Sequence, residues 1–242
     1  MILQVEGLSK AFGGVLAVKD LTFGVLPGER LGIIGPNGAG KTTTFNVISG
    51  EYRPTSGVVL LENTRIDGLR PHEVNRRGIA RTFQIVRVFG SLSVREHVLT
   101  GLISRQPSLR ISSRQEDEVE ELLEFTGLER FRSTLARNLT TAYKKRLELA
   151  TALATHPKLL LLDELMAGLN PVEVEESMEV LRRINEERGI TLVVVEHVMR
   201  AIMGLCQRII VLHHGEKIAE GSPREVASNP RVIEAYLGEE YA

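Results

Sequence analysis

Residues 35–42 read Gly35-Pro36-Asn37-Gly38-Ala39-Gly40-Lys41-Thr42, which fits G-x-x-x-x-G-K-[ST] in full. The chemistry of that pattern is the cradling of a phosphate chain. Several backbone N–H groups must turn inward, and Gly35, Gly38 and Gly40 permit this because they lack a Cβ. Lys41 can then reach the outer phosphates as a point charge, while the Thr42 hydroxyl can take a place on Mg²⁺. At ordinary residue frequencies the pattern arises by chance in roughly one chain of this length per hundred, so the phosphate reading outweighs a bland Gly-rich turn. A second constellation is Leu159-Leu160-Leu161-Leu162-Asp163-Glu164, an apolar strand ending in two acids. Alone, such acids are usually a solvated strand end. Beside the Lys41 loop, Asp163 can hold Mg²⁺ and Glu164 can polarise an attacking water.

Three further residues take meaning only from that frame. Gln84, in Arg81-Thr82-Phe83-Gln84, could span metal and water, or be an ordinary surface glutamine. His197 follows an apolar run at the edge where a γ-phosphate would sit, or serves the structure alone. Phe12, beside Gly13-Gly14, could stack on adenine or plug the core.

Buried strands and helices have to position these groups. Leu31 to Ile34 is a short apolar run suited to a strand leading into the glycine loop, and Thr43 to Ser49 is predicted as the helix whose N-terminus faces the anion. Leu159 to Leu162, Leu192 to Val195 and Ile209 to Leu212 are continuous apolar runs, as expected of parallel strands buried on both faces. Between the first two, Asn170, Pro171 and Glu173 open a helix with apolar positions Val174, Met178, Leu181 and Ile184, closed by Gly189. Near the N-terminus, Ile2 to Val5, Leu21 to Val25 and Val58 to Leu61 read as strands. The middle, about 93 to 155, turns helical, with capping-box spacing at Ser93/Glu96 and Ser113/Glu116 and a stop at Gly127. A phosphate-loop core is thus interrupted by a helical insertion and then resumed.

The 242 residues suffice for one large α/β domain with a subdomain, and a formal net charge of −1 gives no basic field for nucleic acid. The single cysteine, Cys206, cannot form an internal disulfide and sits in an apolar stretch, as a core thiol would in a reducing cytosol. No run approaches the length of a membrane span and no signal-peptide pattern opens the chain, so the expectation is a chain that does not itself cross a membrane.

In this order the segments closely resemble the ATP-binding subunits of ABC transporters over essentially the whole chain. The resemblance implies a P-loop NTPase (RecA-like) α/β core with an N-terminal antiparallel β subdomain and an inserted α-helical subdomain. Within a single domain, 1–84 and 156–242 would form the core and 85–155 the helical part. It makes Phe12 the adenine-stacking aromatic, Gly35 to Thr42 with Thr43 the Walker A element, and Gln84 the Q-loop. Asp163 ends the Walker B strand, Glu164 is the catalytic base, Ala167-Gly168-Leu169-Asn170 the D-loop and His197 the switch histidine. Lys41, Gln84, Glu164 and His197 would carry catalysis, with Thr42, Gln84 and Asp163 on Mg²⁺. The strings Arg81 to Gln84, Ala167 to Pro171, Ile202 to Cys206, Gly215 to Gly221 and Asn229 to Gly238 are most similar to the ATPase subunits of branched-chain amino-acid importers.

One departure stands out. The family's signature, usually Leu-Ser-Gly-Gly-Gln, here reads Leu139-Thr140-Thr141-Ala142-Tyr143. Thr140 keeps a hydroxyl, but Ala142 replaces a glycine that lets the helix start approach the γ-phosphate held by the opposite subunit. Thr140, Thr141 and Ala142 would act in trans, and a lost donor there costs about 1–3 kcal/mol. Leu165, where proline is common, is a milder change. The implied function is MgATP hydrolysis driving solute import, from the cytoplasmic face of the cell membrane. The implied partners are membrane-spanning permease subunits, a second ATPase subunit and, indirectly, a solute-binding protein. Two alternatives remain: an export or lipid-extraction ATPase sharing the engine, and an ATP-binding regulatory module that hydrolyses little because of its altered signature.

Overall fold

The structure is a computed structural model that describes residues 1–105 and 111–240; residues 106–110 of the expected helical segment and 241–242 lie outside the described residues. In chain order, β1 (Leu3–Phe12), β2 (Val15–Val25) and β3 (Arg30–Ile34) lead into α1 (Lys41–Ile48). Next come β4 (Ser56–Leu61), β5 (Thr64–Arg65), α2 (Pro71–Arg77) and β6 (Ile79–Arg81), then α3 (Val94–Arg105), α4 (Ser113–Phe125) and α5 (Thr141–Leu153). The remainder is β7 (Leu159–Asp163), α6 (Pro171–Arg188), β8 (Thr191–Val195), α7 (Met199–Leu205), β9 (Arg208–His213), β10 (Glu216–Gly221), α8 (Pro223–Ala227) and α9 (Pro230–Glu240).

Two sheets result. One is antiparallel, in the order β2-β1-β4-β5; the other runs β10-β9-β3-β8-β7-β6 and is parallel from β9 to β6, with β10 antiparallel at its edge. The continuous apolar runs follow from burial on both faces, because successive side chains leave a strand in opposite directions. Leu159, Leu161, Val193, Val195, Ile210 and Leu212 enter a core with Leu3, Leu8 and Phe45, beneath the antiparallel sheet and α1. Leu160, Leu162, Leu192, Val194, Ile209 and Val211 enter a second core with Val98, Leu122, Leu147, Leu181 and Ile202 from the helices. All twelve strand residues are essentially inaccessible. Truncating any of these leucines to alanine removes about 2–5 kcal/mol.

Local signals fix the helix ends. At α6 the Asn170 Oδ1 accepts from the N–H groups of Val172 and Glu173, Glu173 returns to the Asn170 N–H at 2.9 Å, and Gly189 closes the helix at φ 65°. Ser93 and Glu96 bond reciprocally at the start of α3, as their spacing predicts. The second box is displaced by one residue. Ser112, extended at ψ 155°, caps α4 with Gln115, whereas Ser113 is already the first helical residue and its hydroxyl is past the cap position.

Candidate functional site

Neighbouring parallel strands deliver the chemistry-bearing residues to one edge of the six-stranded sheet. The glycine loop leaves β3, His197 follows β8, Asp163 ends β7 with Glu164 next, and Gln84 lies three residues beyond β6. These are carboxyl ends of parallel strands, where such sheets bind ligands.

Two glycines of the loop have no substitute. A Cβ at Gly35 (φ 150°) would stand 2.0 Å from the Leu212 carbonyl oxygen, and one at Gly40 (φ 101°) 2.4 Å from that of Ala17. Gly40 also precedes α1, which has neither a capping side chain nor an acid in its first turn. Its first N–H groups are therefore left for an external anion. The Lys41 ammonium curls back onto the loop, donating to the Gly35 and Pro36 carbonyls at 2.5 and 2.9 Å. A cleft of about 460 Å³ opens over the loop, lined by Phe12, residues Asn37 to Thr43, Gln84, Glu164 and His197. Gly35 and Pro36 lie buried beneath it. Phe12 is 43 % exposed and so is no core plug; its ring meets Tyr52 edge-on at 5.2 Å, with the Lys10 ammonium 4.9 Å above it.

Glu164 is the centre of the arrangement. Gln84 Nε2 donates to its Oε2 at 2.8 Å and His197 Nε2 lies 2.9 Å from its Oε1. Its backbone sits in the left-handed region at φ 51°, a conformation costing a non-glycine residue about 1–3 kcal/mol unless its surroundings enforce it. Enforcement comes from the Glu164 N–H to the Val195 carbonyl at 2.8 Å and from the Lys145 ammonium on the Glu164 carbonyl at 3.0 Å.

Asp163, 1 % exposed, pairs with Arg81 Nη2 at 2.7 Å, and burial raises its pKa despite that partner. Arg81 also donates to Asn46 and Ser49 on or just beyond α1. The other carboxylate oxygen, Asp163 Oδ1, is buried without a partner. Thr42, Gln84 and Asp163 line one depression of about 270 Å³ beside the cleft. One carboxylate, a hydroxyl and an amide oxygen suit Mg²⁺, which completes its shell with water and phosphate oxygens. The orphaned Oδ1 is the observation that fits them to it.

Thr140, Thr141 and Ala142 do not line the cleft. Thr140 is the extended N-cap of α5, its Oγ1 accepting from the Tyr143 N–H at 3.5 Å. Thr140 and Thr141 are exposed, whereas Ala142 is 7 % exposed. Ala142, the second residue of α5, is thus buried within its own chain while the two threonines before it face outward. The Tyr143 ring packs on Phe131 at 4.4 Å and touches Arg130.

Sequence reasoning missed Arg81, Lys145, Glu148, Glu196 and Tyr52. Arg81 lay in a quoted string without a role. For Lys145 a signal existed: Ala142, Lys145 and Leu149 recur at helical spacing and all three are buried, so the lysine shares the inward face of α5.

Comparison with known proteins places the chain in a family. The family profile described as ABC transporter matches residues 18–167, and one described as branched-chain amino acid ATP-binding cassette transporter matches 216–242. The high-affinity branched-chain amino acid transport ATP-binding protein LivG of Escherichia coli is 40 % identical over 250 aligned positions, covering 98 % of each chain. The lipopolysaccharide export system ATP-binding protein LptB of Acidithiobacillus ferridurans is 36 % identical, covering 99 % of this chain and 98 % of its own. Among solved structures, the ADP conformation of MJ1267, an ATP-binding cassette of an ABC transporter, superposes with a TM-score of 0.89 at 31 % identity, covering 98 % of both chains.

Proposed function

The chain belongs to the ABC transporter family, and from that premise we propose that it is the ATP-hydrolysing subunit of an importer for branched-chain or related amino acids. As a cassette ATPase it works in a pair with membrane permease components; no helix among the described residues is long and apolar enough to cross a membrane. The reading places it on the cytoplasmic face of the cell membrane, with a solute-binding protein delivering cargo on the other side. It also divides the chain into a core of 1–84 and 156–242 and a helical part of 85–155, supported by the mutual packing of α3, α4 and α5.

The carrying observation is that Glu164 is held by Gln84 and His197 over a glycine cradle that leaves no room for a Cβ at Gly35 or Gly40. The ATP phosphates lie along Gly35 to Thr43, with Phe12 against the adenine. Lys41 exchanges its loop carbonyls for phosphate oxygens and offsets charge developing in the transition state. Thr42, Asp163 and Gln84 would hold Mg²⁺, which would supply charge neutralisation at the phosphate oxygens. Glu164 orients and deprotonates the attacking water, and His197 supports the γ-phosphate once it swings from the carboxylate. Thr140, Thr141 and the Ala142 N–H at the start of α5 meet the nucleotide of the partner subunit.

Glu164→Gln tests this. ATP affinity stays within about twofold while turnover falls by about 10²–10⁴, the usual share of a general base. Hydrolysis at the parental rate would remove Glu164 from the mechanism. For cargo, the complex reconstituted with its solute-binding protein is stimulated by leucine, isoleucine or valine. Stimulation by a lipid instead would favour the export reading that the LptB likeness offers.

A further inference from the structure

Lysine is rarely fully buried unless paired, yet Lys145, the fifth residue of α5, is 5 % exposed. Its ammonium donates to the carbonyls of Glu164 at 3.0 Å and Ala167 at 2.7 Å. It therefore closes the turn after β7 from below, where the turn's own bond, Ala167 N–H to Glu164 carbonyl, is a long 3.3 Å. We infer that Lys145 is a positioning residue for hydrolysis: it fixes the turn that carries Glu164, and so couples turnover at this subunit's own nucleotide to the seating of α5, whose start completes the partner's site. The inference rests on the role given to Glu164 above.

The neighbours of Lys145 support a coupling device rather than a core filler. One turn further along α5, Glu148, 7 % exposed, accepts the Arg87 N–H at 3.3 Å, gripping the segment that follows Gln84. Glu196, 2 % exposed and adjacent to His197, accepts the Met166 N–H at 2.6 Å within the same turn. One helix and one acid thus hold the segments bearing Gln84, Glu164 and His197. Glu148 Oε2 and Glu196 Oε2 are buried without partners, and the single ammonium is shared electrostatically among Glu148, Glu164 and Glu196. Ala142 and Leu149 flank Lys145 on the same inward face, so an apolar residue would satisfy packing there. What an apolar residue cannot do is enforce the left-handed backbone of Glu164. Bonds of 2.7–3.0 Å tolerate little sliding of α5 before they break. When the helix start engages the partner's nucleotide, Glu164 is held; when it withdraws, the turn is released.

The test uses the intact transporter complex carrying Lys145→Met, Lys145→Gln or Lys145→Arg, with Glu164→Gln in the same assay. Lys145→Met lowers kcat by about tenfold to a hundredfold, the scale of a small misplacement of a catalytic group. Equilibrium ATP affinity stays within about twofold, since the cradle is untouched, and Arg, which can donate to both carbonyls, restores kcat to within about threefold of the parent. A role in packing alone would move thermal stability and ATP binding together, with no recovery by Arg, and would overturn the inference. So would a kcat for Lys145→Met within about twofold of the parent while Glu164→Gln is inactive. An active Glu164→Gln would instead refute the functional reading beneath it. If the Met variant does not fold, Gln and Arg decide: a slowed Gln variant with parental ATP affinity beside a near-parental Arg variant supports the inference, and equal rates in both refute it.

Discussion

Replacing Glu196 by glutamine flattens the pH dependence of stability. Burial pushes this carboxyl from an ordinary 4.5 up to about 7, and Oε2 has no hydrogen-bond partner to offset the loss of water. Between those two values the folded chain keeps a proton that the unfolded chain has released. Stability is therefore greatest below the unfolded value and falls as pH rises, with the loss complete above about 7. At about 1.4 kcal/mol per pH unit the loss amounts to about 3 kcal/mol. Glutamine keeps an oxygen for the Met166 N–H and never ionises. Lys145 loses one acidic neighbour in the exchange, which trims the gain to about 2 kcal/mol. Urea unfolding monitored by circular dichroism at several pH values measures it. Near pH 8 the variant is the more stable by about 2 kcal/mol, and near pH 5 the two agree within about 0.5 kcal/mol. The comparison subtracts all other titrations, so parallel curves for the two proteins would refute the burial argument. Glu148, also pushed up to about 7 by burial, contributes a second such decline, coupled to the first through Lys145.

Ala142→Gly lowers stability by about 1 kcal/mol, because glycine loosens the first turn of α5, and changes turnover of the complex by less than about threefold. A tenfold faster enzyme would show that the methyl obstructs the partner's phosphate after all. Burial pushes the Cys206 thiol up to about 12, so a thiol reagent near pH 8 labels the native chain only as fast as it unfolds. Rapid labelling, followed by mass spectrometry, would contradict its burial.

The strands were legible because their physics is local. Four leucines in succession ending in Asp163 admit few arrangements other than a strand buried on both faces, and the glycine loop announces its backbone needs in its own composition. The α4 cap shifted because Ser112/Gln115 and Ser113/Glu116 satisfy the same spacing, and only the chain's entry angle chooses between them. Arg81 and Lys145 escaped for the opposite reason. Each carries its charge to a partner far along the chain, Asp163 for one and the Glu164 turn for the other. In Tyr143-Lys144-Lys145-Arg146 nothing but helical phase separates the buried cation from its half-buried neighbours. Tyr52 reaches Phe12 only through the folding of the loop after α1.

The order of the six-stranded sheet has a consequence for synthesis. The strand that leads into the glycine loop, β3, has β8 and β9 as its two neighbours in the sheet, and residues 191–213 supply both. While a ribosome has made only the first two-thirds of the chain, both edges of β3 lack their mates. The glycine loop therefore gains a fully paired strand beneath it only once β9 has been made.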